Sequence, residues 1–134
     1  MDPTGFGQRG DRGNAALVMR ADPKNGPRIR DTDLMRLLHA DRTKECAITG
    51  ATDRLELHHI LARSQGGDDV RANLVFLHVR VHQAVTVNDP VALKMLGEHV
   101  WNERPDTVAY LVYKLGKDQA VDWMRRRLLI EELE

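Results

Sequence analysis

Four of the six histidines fall within the twenty-five positions 58–82 of this 134-residue sequence, and the informative residues there are His58, His59, Asn73 and His82. A neutral imidazole can bind a metal ion or accept a proton near pH 7. His58 and His59 are adjacent in a segment that predicts a strand, so their side chains point to opposite faces and have different roles. His82, on a predicted helix, could share a metal ion with His58. Two imidazoles leave coordination positions open for water and phosphate oxygens, which indicates phosphodiester hydrolysis.

The spacing of these residues resembles the motif of the HNH endonuclease family. The resemblance rests on Leu57-His58-His59-Ile60, then Gly66-Gly67, then Asn73-Leu74, and finally Leu77 and His82, with 14 positions from His59 to Asn73 and 9 from Asn73 to His82. The continuation Asn88-Asp89-Pro90 through Gly97 resembles small HNH proteins of phages and prophages. The resemblance covers roughly residues 34–100.

What the resemblance implies is a ββα-metal finger that cuts or nicks DNA. His58 and His82 would hold one divalent ion, Mg²⁺ or Mn²⁺ in the cell, and the site would also accept Ni²⁺, Co²⁺ or Zn²⁺. His59 would be the general base that takes a proton from water. Asn73 would shape the loop between the strands and so orient His59.

The sequence departs from the family at a structural zinc site. Many members carry two CxxC pairs, and the corresponding positions are Cys46-Ala47-Ile48-Thr49 and His78-Val79-Arg80-Val81. Cys46 and His78 alone cannot close a tetrahedral site. We therefore expect no structural zinc, a buried apolar role for Cys46, and apolar contacts in place of the metal.

Charge gives no bulk argument for a nucleic-acid partner, because 20 Lys and Arg balance 20 Asp and Glu. Arg63, Arg71 and Arg80 lie near the motif and are candidate phosphate contacts. For each arginine, a solvated surface position is an equally good interpretation. The negative charges of Glu56, Asp68 and Asp69 nearly balance those of the three arginines. Trp101 and Trp123 could stack on bases, but we expect them to pack in the core.

The pattern of elements predicts an α+β fold in which the ββα finger is embedded among several helices. We expect a flexible or irregular arm over residues 1–30, a nuclease core over 31–100 and a helical extension over 101–134 that packs on the core. Asp31, Thr32 or Asp33 can cap a first helix. After the finger, a helix is predicted from Pro90 to about Leu96, with Gly97 as its stop. Two more helices are predicted from Pro105 to Gly116 and from Asp118.

No apolar run is long enough to span a membrane, and a cytoplasmic location is expected, in the host if a phage encodes the chain. A DNA endonuclease is the first functional hypothesis. The alternative is a catalytically inactive HNH scaffold that binds DNA or a partner in phage packaging machinery. The intact quartet favours the enzyme, because a decayed site usually loses a ligand or the base first. A helix-turn-helix regulator is disfavoured, since no such motif stands out.

Overall fold

The computed structural model describes residues 27–131 and Leu133. Within these residues the order of elements is α1 (Thr32–Ala40), β1 (Leu55–His59), β2 (Leu74–His78), α2 (Val79–Thr86), α3 (Pro90–Glu103), α4 (Pro105–Leu115) and α5 (Lys117–Arg127). The expected α+β class is confirmed. Residues 1–26 of the predicted arm lie outside the described residues.

The two strands form an antiparallel hairpin with a long connection. His58 lies opposite Val75 and His59 lies opposite Leu74. The connection contains two short 3-10 turns, Arg63–Gln65 and Arg71–Asn73. Because β2 leads directly into α2, the helix packs back on the hairpin and completes the strand, strand, helix unit that the sequence predicts.

Side-chain caps and prolines fix where two of the helices begin. Asp31 Oδ1 accepts a hydrogen bond from the Leu34 N–H at 2.9 Å, and Asp89 Oδ2 accepts one from the Ala92 N–H at 3.0 Å. Each carboxylate satisfies an amide that lacks a partner in the first turn. Pro90 occupies the first turn of α3, where its missing N–H is harmless. These starts were predicted correctly from the sequence.

The predicted end of α3 at Gly97 is wrong, because the helix continues through this glycine to Glu103. Gly97 is buried, and a Cβ built on it would lie 1.9 Å from the carbonyl oxygen of Leu128. The chain that follows α5 therefore passes directly over α3 at this point. Glycine is required here for close packing and not as a helix stop.

A continuous hydrophobic core joins the hairpin to the C-terminal helices. It includes Leu77 on β2, Leu61 just after β1, Leu96 and Val100 on α3, and, from the C-terminal part of the chain, Leu111, Leu115, Ala120, Trp123, Met124, Leu128, Ile130 and Leu133. Trp123 is buried, as expected for a packing residue. The helix α3 runs through residue 100, where the sequence analysis places a boundary. The C-terminal helices thus complete the core of the finger.

In the part of the chain that the structure describes, no helix combines the length and the apolar character needed to cross a membrane.

Gly97→Ala should lower the free energy of unfolding by about 1–3 kcal/mol, because the added methyl group overlaps the Leu128 carbonyl. The sign of this change in the free energy of unfolding tests the close approach, because Gly→Ala within an unobstructed helix is stabilising by about 1 kcal/mol. Urea unfolding followed by circular dichroism measures the change. Glu98→Ala, at the exposed neighbouring position, is the control and should stay within about 0.5 kcal/mol of the parent. A Gly97→Ala protein as stable as the parent would contradict the close approach.

Candidate active site

His58 and His82 face each other between the hairpin and α2. Their ring centroids are 5.1 Å apart and the rings are nearly perpendicular, with an interplanar angle of 69°. Glu56 lies two residues before His58, on the same face of β1. Its Oε1 atom is 2.7 Å from His82 Nδ1. A carboxylate at Nδ1 holds the proton there and leaves Nε2 of His82 as the unprotonated nitrogen, the usual arrangement of a metal-binding histidine.

The His58 ring is kept neutral by its surroundings. Burial is the main cause that lowers its pKa, and the neighbouring His82 and His59 add to it, which brings the pKa to about 4. Its contact with His82 is between rings, and no hydrogen bond joins it to the residues described. Neither of its nitrogens is among the buried unpaired atoms of the described residues, so the ring remains accessible. A neutral, accessible imidazole is in the state that a metal ion requires.

His59 points to the other side of the strand, where it meets a buried carboxylate. Its Nε2 is 2.8 Å from Asp69 Oδ1, and the two side chains are only 11% and 4% exposed. The carboxylate fixes a proton on Nε2, so the lone pair of the neutral ring lies on Nδ1. Burial lowers the pKa of His59 and outweighs the opposing effect of Asp69, while the charge of Arg63 lowers it further. The ring is thus poised as a neutral base.

Asp69 is itself held by the segment before α1. The Asp31 N–H donates to its Oδ2 at 2.9 Å, and Arg28 Nη2 donates to its Oδ1 at 2.6 Å. Burial disfavours the charged carboxylate, but these donors and His59 outweigh it and lower the pKa of Asp69. The last residues of the predicted arm are therefore irregular in structure yet tied to the site.

Asn73 closes the loop between the strands from within. Its side chain is completely buried. The amide oxygen accepts from the Leu61 N–H at 2.7 Å, and the amide nitrogen donates to the carbonyl oxygens of Leu61 at 3.0 Å and Asp68 at 3.1 Å. These bonds join the end of β1 to the residue before Asp69 and so hold the loop between the strands.

Gly67 lets this loop fold back against the end of β1. A Cβ on Gly67 would lie 1.7 Å from the Leu61 carbonyl oxygen, and the Gly67 N–H donates to the Ala62 carbonyl at 2.9 Å. Any side chain would separate the two backbones and move Asp68 and Asp69 away from His59. Gly67, the second glycine of the pair that the sequence analysis singled out, therefore has a packing reason, whereas Gly66 has a positive φ of 89°.

The residues present fit a metal ion with two protein ligands. Across residues 27–131 and 133, no group of three or more His, Cys, Asp or Glu side chains could hold an ion. His58 and His82 can offer one imidazole nitrogen each, while Glu56 is engaged with His82. Such a pair leaves the remaining coordination positions to water and phosphate oxygens, which suits a hydrolytic site.

The three candidate phosphate contacts, Arg63, Arg71 and Arg80, are all exposed, but they lie in different places. Arg63 belongs to the loop beside His59, and its charge acts on that ring. Arg80 is in the first turn of α2, the helix that carries His82. Arg71 instead lines a cavity of about 310 Å³, together with His99 and Arg104.

The residues at the positions that correspond to the zinc site of many family members form hydrogen bonds instead. Cys46 is buried, as expected, and its Sγ accepts from the Thr49 N–H at 3.4 Å. His78 caps α2, because its Nδ1 accepts from the Arg80 N–H at 3.1 Å. Ala47 N–H donates to the Phe76 carbonyl at 3.0 Å, which ties this turn to β2. These contacts tie the turn to β2 and to the start of α2, and the absence of structural zinc stays a prediction.

Sequence reasoning missed the roles of Glu56, Asp69 and Arg28. The two acidic residues had been weighed only as charges that offset nearby arginines. For Glu56 a signal was available, because a residue two before His58 on a strand must share its face. For Asp69 the signal was weaker: two adjacent acids beside a glycine pair and a buried asparagine. Nothing in the spacing pointed to Arg28.

The metal-free protein should lose stability as the pH falls from 6.5 to about 4. In this window His58 binds a proton in the unfolded chain but stays neutral in the folded one, since its pKa drops from the ordinary 6.5 to about 4. Unfolding therefore takes up a proton, and the loss is on the order of 2–3 kcal/mol. The pKa of His59 is also lowered, so it acts in the same direction.

Urea titrations with EDTA across this pH range measure the loss. His58→Gln should flatten the curve, whereas His39→Gln, at an exposed position on α1, should follow the parent. Parallel curves for His58→Gln and the parent would show that His58 is not held neutral by burial.

Comparison with known proteins relates part of this chain to a protein family. Residues 44–87 match the family model described as HNH endonuclease. No curated protein and no solved structure matches the chain. The matched stretch spans both strands, the loop and α2, and it contains all four motif residues. The chain therefore carries an HNH endonuclease domain at residues 44–87.

Proposed function

We propose that the protein is a divalent-metal-dependent endonuclease that hydrolyses DNA phosphodiester bonds, with His59 as general base and His58 and His82 as metal ligands. The observation that carries this proposal is the His58–His82 ring pair, 5.1 Å between centroids, one residue along the strand from a histidine anchored on a carboxylate. Two ligands would face the ion while the base approaches from its own side of β1. An HNH domain over the same residues supports this reading.

In the proposed reaction the chain supplies a base and a fixed geometry. The Nδ1 lone pair of His59 accepts a proton from a water molecule, the water oxygen bonds to phosphorus, and the bond from phosphorus to the 3′ oxygen breaks. Asn73 and Asp69 restrict the movement of the His59 imidazole. The ring therefore loses little orientational entropy at this step. A bound Mg²⁺ or Mn²⁺ would neutralise charge on the scissile phosphate and the leaving oxygen.

We assign phosphate binding to Arg63 and Arg80, because each lies near one of the site histidines. Arg63 lies beside His59 and Arg80 lies on α2 with His82, so both could contact the backbone on either side of the scissile bond. Arg71 could contact the backbone from the cavity that it lines with His99 and Arg104.

His58→Ala and His82→Ala should each weaken Mn²⁺ binding and abolish plasmid cleavage, because one imidazole would remain to hold the ion. Glu56→Ala should weaken binding by about tenfold to a hundredfold, since it removes the partner that orients His82. Isothermal titration calorimetry measures the affinities. His39→Ala, an exposed histidine outside the site, is the matched control. Unchanged affinity in both ligand variants would exclude the ligand pair.

His59→Ala should cleave supercoiled plasmid about a hundredfold to ten-thousandfold more slowly than the parent, because it lacks the base. It should retain Mn²⁺ binding and DNA binding, since neither ligand is changed. Single-turnover assays with Mg²⁺, Mn²⁺, Ni²⁺ or Zn²⁺ and an EDTA control give the rates. Equal rates for parent and variant would contradict the assigned base. A parent that cuts nothing with any of these ions would favour the binding-module alternative.

A further inference from the structure

We propose that Asp69 is the positioning residue for His59 and that the segment Arg28–Asp31 holds Asp69 in place, so residues outside the HNH domain set the geometry of the base. The inference rests on the proposed function only in giving His59 the role of base. The contacts that carry it are the carboxylate at His59 Nε2 and the donors that surround this carboxylate.

Among the described residues, every hydrogen-bond partner of the Asp69 carboxylate is a donor. His59 Nε2 and Arg28 Nη2 share Oδ1, at 2.8 and 2.6 Å, and the Asp31 N–H binds Oδ2 at 2.9 Å. A carboxylate can accept all three, whereas an amide of the same shape offers only one oxygen. The site therefore selects aspartate for its charge and its two acceptors, and it selects the His59 tautomer with the proton on Nε2.

The consequence for His59 is that Nδ1 remains the atom available for chemistry. No hydrogen bond of Nδ1 is found within residues 27–131 and 133, and Nδ1 is not among their buried unpaired atoms. Nδ1 therefore keeps some contact with solvent, although only 11% of the His59 side chain is exposed. A ring with the other tautomer would present an N–H at this position and could not accept a proton from water.

The segment before α1 wraps both acidic residues of the loop. The Ile29 N–H donates to Asp68 Oδ1 at 2.6 Å, and the Asp69 N–H donates to the Ile29 carbonyl at 2.9 Å. Arg28 is drawn in far enough that its Nε is buried without a partner, which is unfavourable unless the ion pair with Asp69 offsets it. The segment is therefore fixed to the loop by directional hydrogen bonds and an ion pair.

The far side of the loop is held by α4. Asp68 Oδ2 accepts from Tyr110 at 2.8 Å and pairs with the buried Lys114 at 2.9 Å. The segment Arg28–Asp31 and α4 both lie outside residues 44–87. The loop that presents Asp69 to His59 is thus fixed by two elements that do not belong to the matched domain.

Asp69→Asn and Arg28→Met test the proposal, with Thr107→Val as the matched control. Thr107 is buried on α4 and donates to the Ala72 carbonyl, so its loss removes a buried hydrogen bond without touching Asp69 or His59. For each purified protein, kcat and KM on plasmid and the Mn²⁺ dissociation constant are measured well below the melting range, and Tm is measured separately by thermal unfolding.

Asp69→Asn should lower kcat by about a hundredfold with KM and Mn²⁺ affinity little changed, because the base is misplaced while the ligands stay. Arg28→Met should lower kcat by less. Thr107→Val should lower Tm but leave kcat unchanged. A loss of kcat in Thr107→Val as large as that in Asp69→Asn, at a similar Tm, would overturn the proposal, since loss of stability alone would then explain the effect.

A second readout does not depend on activity. Long-range ¹H–¹⁵N spectra of the metal-free parent should show His59 protonated at Nε2 and not at Nδ1, and Asp69→Asn should change this pattern. The opposite tautomer in the parent, or an unchanged pattern in the variant, would contradict the positioning role. A parent with the expected tautomer and no nuclease activity would refute the proposed function and leave the role of Asp69 standing.

Discussion

The local structure depends first on the buried amide of Asn73. Its oxygen and nitrogen bind both backbone groups of Leu61 and the carbonyl of Asp68, so one side chain fixes where the chain leaves β1 and where it returns. These backbone groups are buried or nearly so, and without the amide they would lack partners, which is strongly unfavourable. The position of Asp69, and through it the orientation of His59, follows from this closure. Gly67 makes it possible by allowing the two backbones to touch.

The alternation of side chains along β1 gives the two adjacent histidines different surroundings. Alternation turns His58 toward α2 and His59 toward the loop, and each then meets a different carboxylate: Glu56 lies beside the His58–His82 pair, and Asp69 binds His59. In both cases the carboxylate fixes which ring nitrogen carries the proton. The two acids thus have comparable effects on His82 and on His59.

The finger and most helix starts could be predicted from the sequence, because they depend on local signals. Alternation, the capping aspartates 31 and 89 and the prolines act within a few residues. The failures concern contacts between distant parts of the chain. Gly97 was taken as a helix stop because its reason lies in Leu128, thirty-one positions away. Asp69 and Arg28 were missed for the same cause, since their pairing joins residues 41 positions apart. Spacing identified the histidines but not the groups that orient them.

The continuous core between the hairpin and the last two helices has a consequence for protein engineering. The stretch that matches the family model, residues 44–87, is the obvious unit to transfer into a fusion protein. In this chain the stretch 44–87 would leave Leu61 and Leu77 without the side chains that cover them from α3, α4 and α5. It would also lose the groups from residues 28–31 that grip the loop. The smallest graft that keeps its own interior therefore extends from about residue 28 to Leu133, and fusion partners belong outside those limits.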